Sequence, residues 1–176
     1  MTRPAISEWI PGQDVNSEVD GLAALLHAVV HDGASVGFVL PFQLEDARAF
    51  WCDRVLPGAR TGCRRVWLAI VDGRIVGTVQ LVLDTMPNQR HRAEVAKLLV
   101  HPEARRMGLG RALMETAEAA ALAGGRTLLT LDTRTGDRAE PLYLSMGYVT
   151  AGVIPCYARN PHTPELDATT VMYKLL

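Results

Sequence analysis

Cysteine is scarce: the three in the chain, Cys52, Cys63 and Cys156, are odd in number, far apart and without a CxxC pair. That pattern excludes a disulfide framework and suggests no zinc site. Long apolar runs are missing too. No stretch reaches the roughly 20 residues of a bilayer-spanning helix, and the N-terminus, with Arg3 and Pro4, lacks an apolar segment of signal-peptide length. The expectation is a cytoplasmic protein with no membrane partner. Neither sign of charge is in excess: 18 Lys and Arg against 19 Asp and Glu leave a formal net charge of −1, so nothing draws the chain generally to nucleic acid or anionic lipid. Aromatics are few, at 6%, and do not interleave with basic residues, so no nucleic-acid partner is expected. There is no Gly-Lys-Ser/Thr and hence no Walker loop. His27 and His31 stand four apart, but without an HExxH glutamate or a third ligand they predict no metal. Repeats and low-complexity linkers are absent; Pro155 to Asp167 reads as a surface loop.

What is present is 176 residues with 48% hydrophobic content, enough for a single domain over residues 1–176 with a real core. Ala5 to Ile10 reads as a short strand ended by Pro11-Gly12. Val19, Leu22, Leu25, Leu26 and Val29 predict a helix over 18–31, stopped at Gly33. Leu44, Ala47, Trp51 and Val55 predict a second, closed by Pro57-Gly58. The apolar runs 65–71 and 74–83, split by Asp72-Gly73, predict a β-hairpin. A strand, a basic glycine-rich loop and an amphipathic helix follow within Ala93–Gly124, and Leu109, Leu113, Ala117, Ala120 and Ala121 form the apolar stripe of that helix. Thr127–Thr133, Tyr148–Ile154 and Thr169–Leu175 are the remaining strands, with a short helix at Ala139–Met146. The order β α α β β β α β α β β contains one clear βαβ crossover, which calls for an α/β fold with a mixed sheet.

Arg105, Arg106, Met107, Gly108, Leu109 and Gly110 fall where the unpaired N–H groups of the long helix would point. Gly108 and Gly110 carry no side chain, so a phosphate oxygen can approach the backbone there. Rival readings are a plain strand–turn–helix, a solvated basic face of Arg105, Arg106 and Arg111, and a dinucleotide fingerprint, Gly108-x-Gly110-x-x-Leu113 with Asp132 as the ribose acid. Leu113 in place of a small third residue, and seven residues between Val100 and Gly108, argue against the last.

Three segments, Leu98-Leu99-Val100-His101-Pro102, Arg105-x-x-Gly108-x-Gly110 and Ala139-x-x-x-Tyr143-x-x-x-Gly147-Tyr148, together resemble the GNAT superfamily of N-acetyltransferases. The resemblance implies an acyl-CoA N-acyltransferase fold with a mixed six- to seven-stranded sheet and about four helices, and acetyl-CoA as co-substrate. A closer likeness, to the tabtoxin-resistance acetyltransferases, lies in Gly33–Phe38, Trp51–Asp53, Arg92–Val95, Leu131–Thr133 and Leu142–Tyr143. It implies that backbone groups of Leu98, Leu99 and Val100 hold the pantetheine and thioester, and that Arg106 to Arg111 hold the pyrophosphate. Many members carry Asn where this chain has Gly136, so that hydrogen bond must come from elsewhere.

An alkyl amine has a pKa of about 10, so at neutral pH it arrives charged and must lose a proton before it can attack a thioester. Glu94 and Asp132, on strands flanking the loop and helix, are the candidate bases. Strand alternation puts Glu94 on one face with Ala96 and Leu98, and Asp132 with Leu128 and Thr130. The resemblance makes both acids the base pair and sets Tyr143 beside the sulfur as general acid. N–H groups near Leu99 and Val100 are the expected oxyanion donors. Cys156 has no evident base partner, which leaves direct transfer in a ternary complex. The expected function is acetyl transfer to the amino group of a small molecule, with an antibiotic or toxin among the acceptors. A non-catalytic acyl-CoA-sensing domain and a dinucleotide-dependent oxidoreductase are the alternatives. No pattern encodes the oligomeric state; a homodimer is the general prior.

Overall fold

The computed structural model describes residues 4–176. Its elements are β1 (Ala5–Glu8), α1 (Asn16–His31), α2 (Leu44–Ala49), α3 (Leu56–Thr61), β2 (Arg64–Val71), β3 (Arg74–Val82), β4 (Arg92–Val100), α4 (Leu109–Ala123), β5 (Leu128–Arg134), α5 (Glu140–Ser145), β6 (Val149–Arg159) and β7 (Leu166–Leu175). Among the described residues the seven strands form one sheet in the order β1-β2-β3-β4-β5-β7-β6. β4 and β5 run parallel and the other neighbours antiparallel. A sheet with a single parallel pair is the mixed architecture expected and is not the doubly wound sheet of dinucleotide enzymes. No helix among the described residues is long and apolar enough to cross a membrane.

The sheet separates two apolar layers. On one face α4, α5 and the turn after α5 pack Leu113, Met114, Tyr143, Met146 and Tyr148 against Val95 and Leu129. On the other, α1 and the α2–α3 block pack Leu22, Leu26 and Trp51 against Val66 and Leu68. Each fully buried Leu contributes about 1.5–3 kcal/mol relative to exposure. The β2–β3 turn is the expected one: Asp72 and Gly73 both take positive φ, 48° and 77°, which matches the twist of the flanking strands.

Two boundaries differ from the sequence reading. Pro57-Gly58 does not end the second helix. A π-helical turn, Phe50–Val55, joins α2 to α3, and the Leu56 N–H reaches back five residues to Trp51 O. This widened turn sets Pro57 in the first turn of α3, where its missing N–H leaves no bond unmade. The helices therefore form four blocks among the described residues, α2 and α3 counting as one. The second difference is at Pro155, expected to open a surface loop. β6 instead continues to Arg159, with an irregularity between Ile154 and Ala158. As the edge strand it has no outer neighbour, so a proline costs it no ladder bond. Only the segment between Arg159 and Leu166 remains as the loop of a long hairpin.

A further departure from the sequence reading lies in β4. Thr78 pairs with Leu99, but Gln80 pairs with Ala96, so β4 carries one extra residue. Lys97 takes φ 49° there, the mark of a β-bulge. The bulge reverses the alternation that the sequence suggested. Ala93 and Val95 face the α4 layer, as do Leu98 and Val100, whereas Leu99 joins the α1 layer. Glu94 and Ala96 thus share a face with Leu99 and not, as expected, with Leu98.

Candidate active site

β4 and β5 stay paired only from Arg92↔Leu128 to Glu94↔Thr130. Beyond that point they part, and a cleft of about 800 Å³ opens between their C-terminal halves. Its lining includes Glu94, Asp132, Tyr143, Leu98, Leu99, Val100, Arg105, Arg106, Gly108, Leu109, Gly110 and Arg111. Met107 alone of the sequence-predicted site residues is outside this lining, its side chain 37% exposed.

At one end lie the loop and the start of α4. Arg106 and Gly108 both adopt positive φ, 63° and 77°, and Gly108 is the residue before the first helical turn. The first N–H groups of a helix have no partner inside it, and α4 carries the positive end of its dipole there. A Cβ on Gly108 would meet nothing within 4 Å, so the space beside this backbone is open. These features fit a diphosphate. Gly110 differs from expectation. A Cβ there would stand 3.2 Å from Leu142 Cδ2, so its missing side chain lets α4 approach α5. Two of the loop's arginines are already engaged. Arg105 Nη1 lies 2.5 Å from Asp32 Oδ2 at the end of α1, and Arg111 Nη2 donates to Ser145 Oγ of α5 at 2.7 Å. Their immediate task is to fix the loop; Arg106 stays exposed and free of ion pairs.

The other end is acidic. Leu129 and Leu131 of β5 point into the α4 layer, which turns Asp132 to the opposite face, the face that carries Glu94. Both carboxylates are solvent-accessible in the cleft. Thr169 Oγ1 lies 3.2 Å from Asp132 Oδ2 and 2.9 Å from Thr133 O, fixing the end of β5 to β7. Tyr143 approaches from the α5 side and is 6% exposed. Burial, reinforced by the charges of Asp132 and Asp137, pushes its phenol well above the ordinary value. It therefore keeps its proton throughout the neutral range and is available as a donor. The two acids sit on one face of the sheet and Tyr143 on the other, so the β4–β5 gap is what connects them.

Several lining residues were missed from sequence. Lys97 lies in the bulge, at the boundary between this cleft and a smaller hollow of about 540 Å³. A signal for it existed: strict alternation would have put Lys97 in line with Ala93, Val95 and Leu99, an unfavourable core position for an ammonium. Burial lowers its pKa, opposed by the charges of Asp132 and Glu94 and assisted by that of Arg64. Tyr157, Ala158 and Asp167 to Thr169 arrive on the β6–β7 hairpin. The hairpin tip is tied to the segment after α1 by the Leu40 N–H, which donates to Pro161 O at 3.1 Å. Nothing local in 155–168 signals that encounter. Phe38 and Phe50 form an aromatic wall with Phe42, and Trp51, 0% exposed, belongs to the core.

Comparison with known proteins agrees with this geometry. Residues 62–150 match the model of the acetyltransferase (GNAT) domain. An uncharacterised N-acetyltransferase from the hisH-hisA intergenic region of Azospirillum brasilense is 32% identical over 114 residues, 64% of this chain and 66% of that protein, just under two thirds of its length. A ribosomal-protein-alanine N-acetyltransferase from Brucella melitensis superposes with a TM-score of 0.77 at 20% identity, over 97% of this chain and 99% of that one. A GNAT-family acetyltransferase from Streptococcus pneumoniae gives 0.75 at 23% identity, over 99% of both chains. A Salmonella typhimurium protein solved with its cofactor acetyl-CoA gives 0.73 at 17% identity, over 98% and 94%. At these identities the structures attest the fold, and the domain match attests the family. The chain belongs to the GNAT acetyltransferase family.

Proposed function

We propose that this protein is an N-acetyltransferase that moves an acetyl group from acetyl-CoA to the amino group of a small molecule, directly, in a ternary complex. One observation carries the reading: a single cleft joins the open N-terminus of α4 to Glu94 and Asp132 through the gap between β4 and β5. Arg106, Gly108, Leu109, Gly110 and Arg111 would hold the diphosphate of acetyl-CoA. The β5-facing backbone edge beyond Glu94 would hold its pantetheine arm at Leu98, Leu99 and Val100. When bound, acetyl-CoA supplies an acyl group already activated as a thioester. Glu94 and Asp132 accept the proton that an ammonium acceptor must lose before it attacks, and the second N–H proton, lost as the amide forms and the C–S bond breaks, passes to the departing thiolate. N–H groups near Leu99 and Val100 stabilise negative charge on the acyl oxygen. The Tyr143 hydroxyl donates a hydrogen bond toward the departing sulfur. Because a thiol of pKa about 8.5 is a stronger acid than this buried phenol, the bond stabilises the thiolate without full proton transfer. No cysteine is among the described residues lining the cleft, which supports direct transfer.

The tabtoxin-resistance likeness of Gly33–Phe38 draws support from position, since Gly33 to Gly37 line the cleft and a Cβ on Gly37 would stand 3.9 Å from Lys97 Nζ at the acid end. An antibiotic or toxin amine is therefore part of the proposal. A homodimer is supported by β6, an edge strand that leaves Val153, Ile154 and Tyr157 exposed at 53%, 44% and 56%. The three cysteines are free, in keeping with the reducing cytoplasm as its location. The test is a thiol-release assay with purified protein, acetyl-CoA and a panel of amines. Release of CoA that depends on the amine is expected. Acetyl-CoA binding with no release by any amine would make the protein a non-catalytic acyl-CoA sensor.

A further inference from the structure

The cations lining the cleft divide into paired and unpaired. Arg105 is bound to Asp32, Arg134 to Asp137 and Asp167 at 3.3 and 3.5 Å, and Arg138 approaches Asp32 at 3.9 Å. Arg111 donates to Ser145. Among the described lining residues two cations have neither hydrogen bond nor ion pair: Arg106 and Lys97. They stand at opposite ends. Arg106 is in the loop that precedes α4, where the diphosphate of acetyl-CoA would lie. Lys97 is at the acid end, half-buried, with its Nζ 5.6 Å from the centre of the Phe50 ring.

The Lys97 ammonium has three donors and, in the structure, only an aromatic face to meet them. Burial makes such a group costly unless an acceptor arrives. The charges that act on it are those of Asp132 on β5, Arg64 on β2 and Glu94 on β4, and Asp46, Asp53 and Arg54 line the smaller hollow on its other side. Arg64 already has an acceptor, donating to Gln80 Oε1, which leaves Lys97 as the cation of this group without one. An acceptor carrying only a positive charge would be repelled by Lys97 while it was drawn to Glu94 and Asp132. An acceptor that also carries an anion would satisfy all three groups. We infer that the acceptor of this acetyltransferase is a zwitterion of the amino-acid type, whose carboxylate is bound by Lys97 while its amine faces Glu94 and Asp132. The inference rests on the acetyl-transfer reading and narrows its acceptor. The bulge is the device that makes this work: with regular pleating, Lys97 would point into the α4 layer, and the extra residue returns it to the face of the acids. The half-buried position over Phe50, and not an exposed one, gives the anion site its selectivity.

The test uses matched acceptor pairs that differ by one carboxylate: ornithine with putrescine, lysine with cadaverine, histidine with histamine. In the wild-type protein at least one amino acid should exceed its decarboxylated partner in kcat/KM by about tenfold or more, the scale of one charge-assisted hydrogen bond. Lys97→Met, which keeps an unbranched stem over Phe50, should bring that ratio close to one, chiefly through KM for the amino acid. Lys97→Arg should restore it in part. Calorimetry with acetyl-CoA confirms that each variant is folded and loaded. A wild-type ratio near one or below would overturn the inference. So would an equal loss on both members of a pair in Lys97→Met, which would assign Lys97 to the chemistry. Either result leaves acetyl transfer standing. Failure of every amine to release CoA would instead refute the acetyl-transfer reading itself.

Discussion

The two ends of the cleft are built from different materials. The α4 end is backbone: a loop with two left-handed residues, Arg106 and Gly108, and the unpaired N–H groups of one helix, all within a few residues of sequence. The acid end is side chain: Glu94 and Lys97 from β4, Asp132 from β5, Phe50 from the π-helical turn, and the β6–β7 hairpin folded across. A site made of main chain fixes its ligand through conformation and is damaged by residues that disturb φ. A site made of side chains is damaged by losing one charge. The first should control affinity for the coenzyme and the second turnover and acceptor choice.

The largest expected effect separates the ends most clearly. Asp132→Asn and Glu94→Gln should each lower kcat by about 10²–10⁴-fold, the usual worth of a positioned base, with the acetyl-CoA Kd from calorimetry unchanged. The reverse pattern is expected for Gly108→Val. A β-branched residue at φ 77° costs about 1–3 kcal/mol, so the Kd for acetyl-CoA should rise by about tenfold to a hundredfold, while kcat at saturation is retained. Tyr143→Phe stands between the ends and should lower kcat by about tenfold through loss of one hydrogen bond to developing charge. Its wild-type pH profile should show no limb from Tyr143 below its ordinary range, because burial raises this phenol.

Smaller effects test the supports. Arg105→Ala removes the tie between the loop and Asp32; with both side chains about a third exposed, the loss should be about 0.2–1 kcal/mol in stability and a few-fold in coenzyme affinity. Glu8→Gln, remote from the cleft, is the control for both ends. The two Glu8 oxygens accept from Arg65 at 2.6 and 2.7 Å, and this holds the Glu8 carboxyl below its ordinary value. The stabilisation is therefore fully present above the unfolded pKa of about 4.3 and is lost as pH falls through the lower, folded value. Urea titrations should show Glu8→Gln weaker by about 0.2–1 kcal/mol at neutral pH and converging with the wild type in strong acid, with kcat and Kd unaltered.

The same contrast explains what the sequence disclosed. Element order and sheet type were legible because each signal was local: Asp72-Gly73 between two apolar runs, helical stripes, and a glycine before α4. The backbone end of the cleft was legible for the same reason. The packing task of Gly110 was not legible, since one residue cannot tell that its missing Cβ also makes room for Leu142. The acid end was legible only in part. Glu94 and Asp132 stood out as carboxylates on strands. Lys97 did not, because its place depends on one extra residue in β4 relative to β3. The contributions of Thr169, through β5–β7 pairing, and of Tyr157, on the β6–β7 hairpin, depend on encounters between residues far apart in the chain. Pro155 misled for a related reason: its tolerance in β6 follows from the strand's position at the edge, which sequence does not state.

The most direct test is calorimetric titration of acetyl-CoA into the wild-type protein and into the double variant Glu94→Gln/Asp132→Asn, with CoA release measured in parallel on an amine panel. The same Kd is expected for both proteins, with amine-dependent release by the wild type alone. No binding heat from folded wild-type protein at millimolar acetyl-CoA, or undiminished release by the double variant, would contradict that expectation.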